Sequence, residues 1–246
     1  MRHNLFMAAA MVIAAITARP ADAGTIVRFT TNLGTFDVQL FDEQVPTTVA
    51  NFLGYVGNDS YVNSLFHRST TYDSADIQIV QGGGFALVTT PTTASLDPIA
   101  TADPIPLEAG LPNLRGTIAM ARTNDPNSAT SGWFFNVQDN PALDSGYAVF
   151  GEVIGDGISV IDAIGGLTVY NAEAQLGGAF RQLPLLANSL DVQNLALVGN
   201  VAAVPEPSTL ALGVACVFMY TIRRLRPRHL GGHHFHDDTR AKRTEV

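Results

Sequence analysis

The chain has 246 residues, 46% of them hydrophobic, and a formal net charge of −8. That length accommodates one well-buried domain of roughly 150 to 200 residues plus accessory segments. Residues 24–203 contain 17 Asp and Glu against five Arg and no Lys, a net charge of −12 that repels phosphate backbones and excludes nucleic acid as a partner of the folded part.

Residues 1–23 begin with a basic Arg2, continue with an apolar run at 5–16 and end in Ala21, Asp22 and Ala23, the small-x-small pattern of a signal-peptidase site. Twelve apolar residues fall short of the ~20 that span a bilayer. This segment therefore reads as a signal peptide, with the mature chain beginning at Gly24.

The folded part starts with two β-branched and aromatic runs, 25–31 and 35–41, joined by Asn32, Leu33 and Gly34, which predicts a hairpin with Phe36, Val38 and Leu40 facing inward. Pro46 then opens a helix capped by Thr47 or Thr48, with Val49, Phe52, Leu53 and Val56 on one face and a stop at Gly57, Asn58 and Asp59. Strand-like pieces follow at 77–80, 116–121, 133–137 and 149–153, separated by Gly, Pro, Asn and Asp clusters. That spacing favours a sandwich or barrel. A second helix is expected at 157–164, where Ile158, Ile161 and Ile164 recur at helical spacing, and a last strand at 195–198. The Thr-, Pro- and Ala-rich stretch 86–113 has no periodicity and reads as a long surface loop beside a site.

Past residue 200 the composition changes. Pro205, Glu206 and Pro207 precede an apolar stretch at 208–222 and an arginine cluster at 223–228. These three parts in this order resemble the PEP-CTERM sorting signal of bacteria. The resemblance implies membrane engagement through this segment, a cytoplasmic C-terminus and processing by an exosortase-type enzyme. As a helix, 208–222 is about 22 Å long, a marginal span helped by snorkelling arginines. The single cysteine, Cys216, lies here, so the domain has no intrachain disulfide. The remaining 229–246 tail carries His233, His234 and His236, but its Gly- and charge-rich composition reads as disordered rather than metal-binding. The expected division is therefore 1–23, 24–200, 201–228 and 229–246.

Within the domain the motifs FHR at 66–68, QGGGF at 81–85, RGTIAMAR at 115–122 and DPNSATS at 125–131 are followed by WFFN at 133–136, Leu143 with Asp144, and VFGEV at 149–153. In order and spacing this series resembles the cyclophilin-type peptidyl-prolyl cis/trans isomerases, over most of residues 25–198. The resemblance implies a mainly β fold, a closed eight-stranded antiparallel barrel capped by two α-helices, with a proline-binding groove on its outer face. It implies isomerase activity on X-Pro bonds, with proline-containing polypeptides as partners and no cofactor or metal. A monomer is expected.

By the same resemblance Arg68 is the catalytic residue. Gln81 binds the peptide backbone, while Ile79, Phe134 and Leu143 line the proline pocket. Ala121, Arg122 and Thr123 match the strand that clasps the residue before proline. Ala142 and Tyr147 stand where the best-known eukaryotic members have Trp and His, which implies weak cyclosporin binding, and Tyr147 is counted with the substrate-binding residues. The chemistry suits an arginine, because rotation about X-Pro is opposed by amide resonance with a barrier of ~18–20 kcal/mol. A cation donating to the prolyl nitrogen draws its lone pair out of that resonance, and nothing covalent is required. His67, the domain's only histidine, has no proton to transfer and reads as structural. Two departures, Gln78 at a pocket position and Gly132 in place of Gln or Glu, motivate an alternative: a non-catalytic module that binds proline peptides in the envelope or matrix.

Overall fold

The computed structural model describes residues 24–70 and 76–205. The expected signal peptide at 1–23, residues 206–228 of the expected sorting segment, with Cys216, and the histidine-containing tail lie outside the described residues, while 201–203 belong to the last strand of the domain. Among those described, no helix is long and apolar enough to cross a membrane.

The first hairpin forms as its alternation dictates. Strands β1 (Ile26–Thr31) and β2 (Gly34–Leu40) pair antiparallel, and Phe36, Val38 and Leu40 are buried. Helix α1 (Pro46–Gly57) packs Val49, Phe52, Tyr55 and Val56 into the core. Its cap differs from expectation. Neither threonine caps the helix with its own side chain; instead Glu108, from the distant 99–116 connection, accepts from the N–H groups of Thr47 and Thr48 and from the Thr48 hydroxyl at 3.2, 2.7 and 2.7 Å. A carboxylate at a helix N-terminus satisfies its orphan donors and complements its dipole. Burial opposes ionisation of Glu108, but the bonds from Thr48 and Thr47 outweigh it and lower its pKa.

Short strands β3 (Ser64–Leu65) and β4 (Arg68–Ser69) come next, then β5 (Ile79–Gly82), β6 (Phe85–Thr89) and β7 (Ala94–Pro98). After the long connection come β8 (Thr117–Met120), β9 (Trp133–Asn136) and β10 (Val149–Ile154). Helix α2 (Ile158–Gly165) buries Ile161 and Ile164. Strand β11 (Thr168–Tyr170), a one-turn helix α3 (Glu173–Leu176), β12 (Leu183–Leu185) and β13 (Leu197–Ala203) complete the element order.

Among the described residues the main sheet has eleven antiparallel strands in the order β4-β5-β9-β8-β10-β2-β1-β13-β3-β6-β7, and β11 with β12 forms a separate pair. The mainly β architecture with few helices is as expected, but eight strands are replaced by eleven and the ladder runs from β4 to β7. The stretch that carries β3 and β4 serves both halves of the sheet. Phe66 N–H donates to Ala196 O at 2.9 Å on the β13 side, and His67 N–H donates to Gln81 O at 3.0 Å on the β5 side. Two-residue strands leave no periodic signal, which is why they escape a reading by pattern.

Residues 86–113 are not one loop. The β6–β7 hairpin occupies their first part, with Leu87 opposite Leu96. Both, with Phe85, pack on a second apolar cluster of Leu65, Phe180, Leu183, Leu185 and Leu195. The last strand also outgrows its expected 195–198, reaching Ala203 along β1. The main core is aromatic. Phe29 stacks on Phe36 at 5.0 Å, and Trp133 meets Phe29 and Phe66 edge-on at 5.4 and 5.3 Å. The glycine run after Gln81 exists for this tryptophan: a Cβ on Gly82 would stand 2.5 Å from the Trp133 ring, and one on Gly83, whose φ is +72°, 2.4 Å from its Nε1.

Candidate active site

Strand register places the chemistry in one row. Across β4, β5, β9 and β8 the paired residues are Arg68 with Gln81, Gln81 with Phe134, and Phe134 with Ala119. Ile79, two residues before Gln81, shares its face because strand side chains alternate. Ile79, Ala119, Phe134, Leu143 and Val149 form a buried apolar floor, joined by the partly buried Ile77, Ala121 and Tyr147.

Over this floor lies a cleft of about 430 Å³ lined by Arg68, Thr70, Ile77, Ile79, Gln81, Ala121, Arg122, Phe134, Leu143, Tyr147 and Gln182. All the expected site residues are brought together except Thr123, which lies just beyond the wall and accepts a hydrogen bond at its carbonyl from Arg122 Nη1 at 2.8 Å. Gln78 is not among the lining residues. Its backbone is held by Asn140, whose Oδ1 accepts from Gln78 N–H at 3.0 Å and whose Nδ2 donates to Gln78 O at 3.1 Å. The apolar side chain that enters the cleft is the preceding Ile77. Ala142 is exposed and lies outside the lining, whereas Tyr147 packs edge-on against Phe134 at 5.4 Å.

Arg68 is exposed at the rim. Its Nε donates to Gln182 Oε1 at 3.0 Å and its Nη1 to Gln81 Oε1 at 3.3 Å, while Nη2 has no partner among the described residues. Two neutral acceptors thus aim the guanidinium without neutralising it. Gln182 was invisible to sequence reasoning. It arrives from the segment before β12, anchored where Ser69 N–H donates to Gln182 O at 2.8 Å. Thr70 and Ile77 were also missed. Thr70 Oγ1 donates to Ile77 O at 2.8 Å and accepts from Ile79 N–H at 3.0 Å, closing the chain ends around 71–75.

The 3-10 turn Pro141–Leu143 delivers Leu143 and then Tyr147, and a buried amide network fixes it. Asn140 Nδ2 donates to Asn136 Oδ1 at 2.7 Å, Asn136 Nδ2 to Thr117 Oγ1 at 2.8 Å, and Asn113 N–H to Asp144 Oδ1 at 2.7 Å. Arg122 Nε donates to Gly146 O at 2.6 Å, with its guanidinium 4.5 Å from the Tyr147 ring centre.

His67, next to Arg68 in sequence, is turned away from the cleft. It is buried against Phe85 and Phe180, with ring centres 5.1 and 6.3 Å away. Burial, helped by the Arg68 charge, lowers its pKa to about 4, so it is neutral at physiological pH. Among the described residues no cluster of His, Cys, Asp or Glu could hold a metal ion. What the cleft offers is a fixed cation, an amide and an apolar floor. That combination can hold a proline ring and polarise its amide, and among the described residues it has no nucleophile beside a base.

Comparison with known proteins agrees with this geometry. The family model described as cyclophilin type peptidyl-prolyl cis-trans isomerase/CLD matches residues 26–177. A peptidyl-prolyl cis-trans isomerase of Acinetobacter baylyi is 44% identical over 149 residues, covering 58% of this chain and 72% of that one. Peptidyl-prolyl cis-trans isomerase B of Escherichia coli is 41% identical over 152 residues, covering 58% and 85%. Peptidyl-prolyl cis-trans isomerase A of Dickeya dadantii is 38% identical over 189 residues, covering 72% and 90%. The crystal structure of a Cryptosporidium parvum cyclophilin type isomerase superposes with a TM-score of 0.53 at 22% identity, covering 74% of this chain and 99% of that one, a likeness of fold. Another crystal structure of that protein was determined in the presence of the dipeptide Ala-Pro.

Proposed function

Because this chain belongs to the cyclophilin-type peptidyl-prolyl cis-trans isomerase family and is an enzyme of that class, we propose that it rotates X-Pro bonds in exported polypeptides, with Arg68 as the donor. The observation that carries the assignment of Arg68 is the row of paired residues Arg68, Gln81 and Phe134, which sets a guanidinium with no carboxylate partner among the described residues beside an apolar pocket.

The proline ring sits on Ile79, Phe134 and Leu143, the side chains that exclude water from it. The Gln81 amide, already tied to Arg68 Nη1, holds the substrate backbone. Arg68 Nη2 donates to the prolyl nitrogen as it pyramidalises in the twisted state, an interaction unavailable to the planar ground state, so it lowers the barrier and not merely the energy of binding. Ala121, Arg122 and Thr123 form the wall along which the residue before proline lies. The determination of a Cryptosporidium structure in the presence of Ala-Pro supports proline-containing chains as the ligand class. The alternative of a non-catalytic module loses one of its two motives, since Ile77 rather than Gln78 lines the cleft, and keeps the other in Gly132.

Export rests on the sequence of residues 1–23, and membrane engagement with exosortase-type processing rests on the Pro-Glu-Pro triplet at 205–207, the apolar 208–222 and the arginines after it. Proteins of the envelope are then the clients. The test is isomerisation of a proline reporter peptide by the wild type and by Arg68→Ala. Removing a transition-state donor is expected to lower kcat/KM by ~100-fold or more. Equal rates in the two proteins would remove Arg68 from the mechanism, and fractionation of the producing cells tests the location.

A further inference from the structure

The folded part has five arginines and no lysine. Three of them are neutralised: Arg28 by Asp37 at 2.7 Å, Arg115 by Asp162 at 2.7 Å and Arg181 by Glu173 at 2.6 Å. The other two, Arg68 and Arg122, have no carboxylate within ion-pair distance among the described residues, and both line the same cleft. In a domain with 17 acidic side chains, two cations without a carboxylate partner among the described residues share one cleft.

Arg68 is accounted for by the reaction. For Arg122 we propose a specificity role: it selects substrates that carry a carboxylate side chain within two residues of the proline. The inference rests on the isomerase reading of this cleft.

Arg122 is built as a receptor rather than left as a mobile surface charge. It is half-buried, its Nε and Nη1 are held by the carbonyls of Gly146 and Thr123, and its plane lies over Tyr147. All of these partners are neutral, so the charge is retained while the orientation is fixed. Nη2 has no partner among the described residues. A guanidinium pre-aimed in this way loses little side-chain entropy when it takes a carboxylate. The domain's net charge of −12 does not forbid this, because at physiological ionic strength the Debye length is ~8 Å and distant carboxylates are largely screened, whereas a direct contact inside a half-buried cleft is screened much less. Substrates with Lys near the proline meet the opposite field.

The experiment uses the purified protein and exchange NMR, which needs no coupling protease, on a panel of short Ala-Pro peptides with Glu or Lys at each of the two positions before and after the proline. At one position at least, the Glu peptide is expected to be turned over about fivefold faster than the Lys peptide in kcat/KM, the size of a single partly screened ion pair. The ratio is expected to shrink as salt is raised. In Arg122→Gln the ratio is expected to fall to about one, and in Arg122→Lys to be partly kept. A wild-type ratio near one at every position would overturn the proposal while turnover of the Ala peptide upheld the isomerase reading. A ratio that survives in Arg122→Gln, or a variant that slows every peptide equally, would assign Arg122 to holding residues 121–123 against Gly146 and would also overturn it. Should the variants not fold, the wild-type ratio and its salt dependence decide alone. Turnover of no peptide would remove the isomerase reading and this inference with it.

Discussion

His67 gives the sharpest quantitative prediction, because one group couples the structural reading to the mechanism. Its native pKa is about 4 against the ordinary 6.5, and the first cause is burial among Phe85, Phe180 and the backbone of Gly84. The native state therefore refuses a proton that the unfolded chain accepts. Stability from this group is fully present above pH 6.5 and is lost as pH falls from 6.5 towards 4. At 1.36 kcal/mol per pKa unit, the loss between pH 7.5 and pH 4.5 is on the order of 2–3 kcal/mol. Urea unfolding, followed by the fluorescence of Trp133, the only tryptophan and fully buried, measures it. His67→Phe binds no proton, so its stability should lack this slope, whatever it loses or gains in packing. Carboxylates with lowered pKa values, such as Asp37 and Glu108, add their own loss at lower pH in both proteins and cancel in the difference. Parallel curves for wild type and variant over this window would refute the reasoning. The same neutrality predicts that kcat/KM has no limb near pH 6.5, since an imidazole acting as a base would impose one.

Gln182→Ala removes the acceptor that holds Arg68 Nε, and a hydrogen bond of this kind is worth ~1 kcal/mol, so kcat should fall about fivefold with KM little changed. An unchanged kcat would show that Gln81 alone positions the arginine. Two glycine substitutions should move stability in opposite directions in the same urea assay. Gly83→Ala places a methyl against Trp133 at a φ of +72° and should cost about 3 kcal/mol. Gly54→Ala lies in the exposed interior of α1 with open space around it and should add ~0.5–1 kcal/mol.

Sequence pattern revealed the fold where local period and burial agree. The first hairpin alternates cleanly because one face of β1 and β2 is core and the other is solvent. Helix α1 shows its apolar stripe and its proline start. Pattern failed where a partner far along the chain determines the outcome. The threonines at the start of α1 look like caps, yet the carboxylate that serves them is sixty residues away at Glu108. The β6–β7 hairpin is rich in Thr and Pro, and only the cluster beneath it explains why Phe85, Leu87 and Leu96 are strand residues. The strands at 64–65 and 68–69 are too short to carry a period, and they exist because β13 and β5 pull the same stretch in turn.

The site was legible for a different reason. Its residues were named through the family resemblance of their motifs, and the structure brings them together because Arg68, Gln81 and Phe134 align once β4, β5 and β9 pair. Gln182 belongs to no such motif, lies past residue 177 where the family match ends, and reaches Arg68 only because the backbone before β12 docks on Ser69. The electrostatic character of the cleft was likewise beyond composition, which shows a uniformly acidic domain. Only pairing each arginine with its neighbour reveals that three are spent on exposed ion pairs worth little individually, while the two without a carboxylate partner among the described residues line the same cleft. Among the described residues the fold surrounds these two with amides, carbonyls and a phenol ring rather than with carboxylates. Neutral partners fix an arginine's direction while leaving its charge for the substrate, which is the property that both amide polarisation at Arg68 and carboxylate selection at Arg122 require.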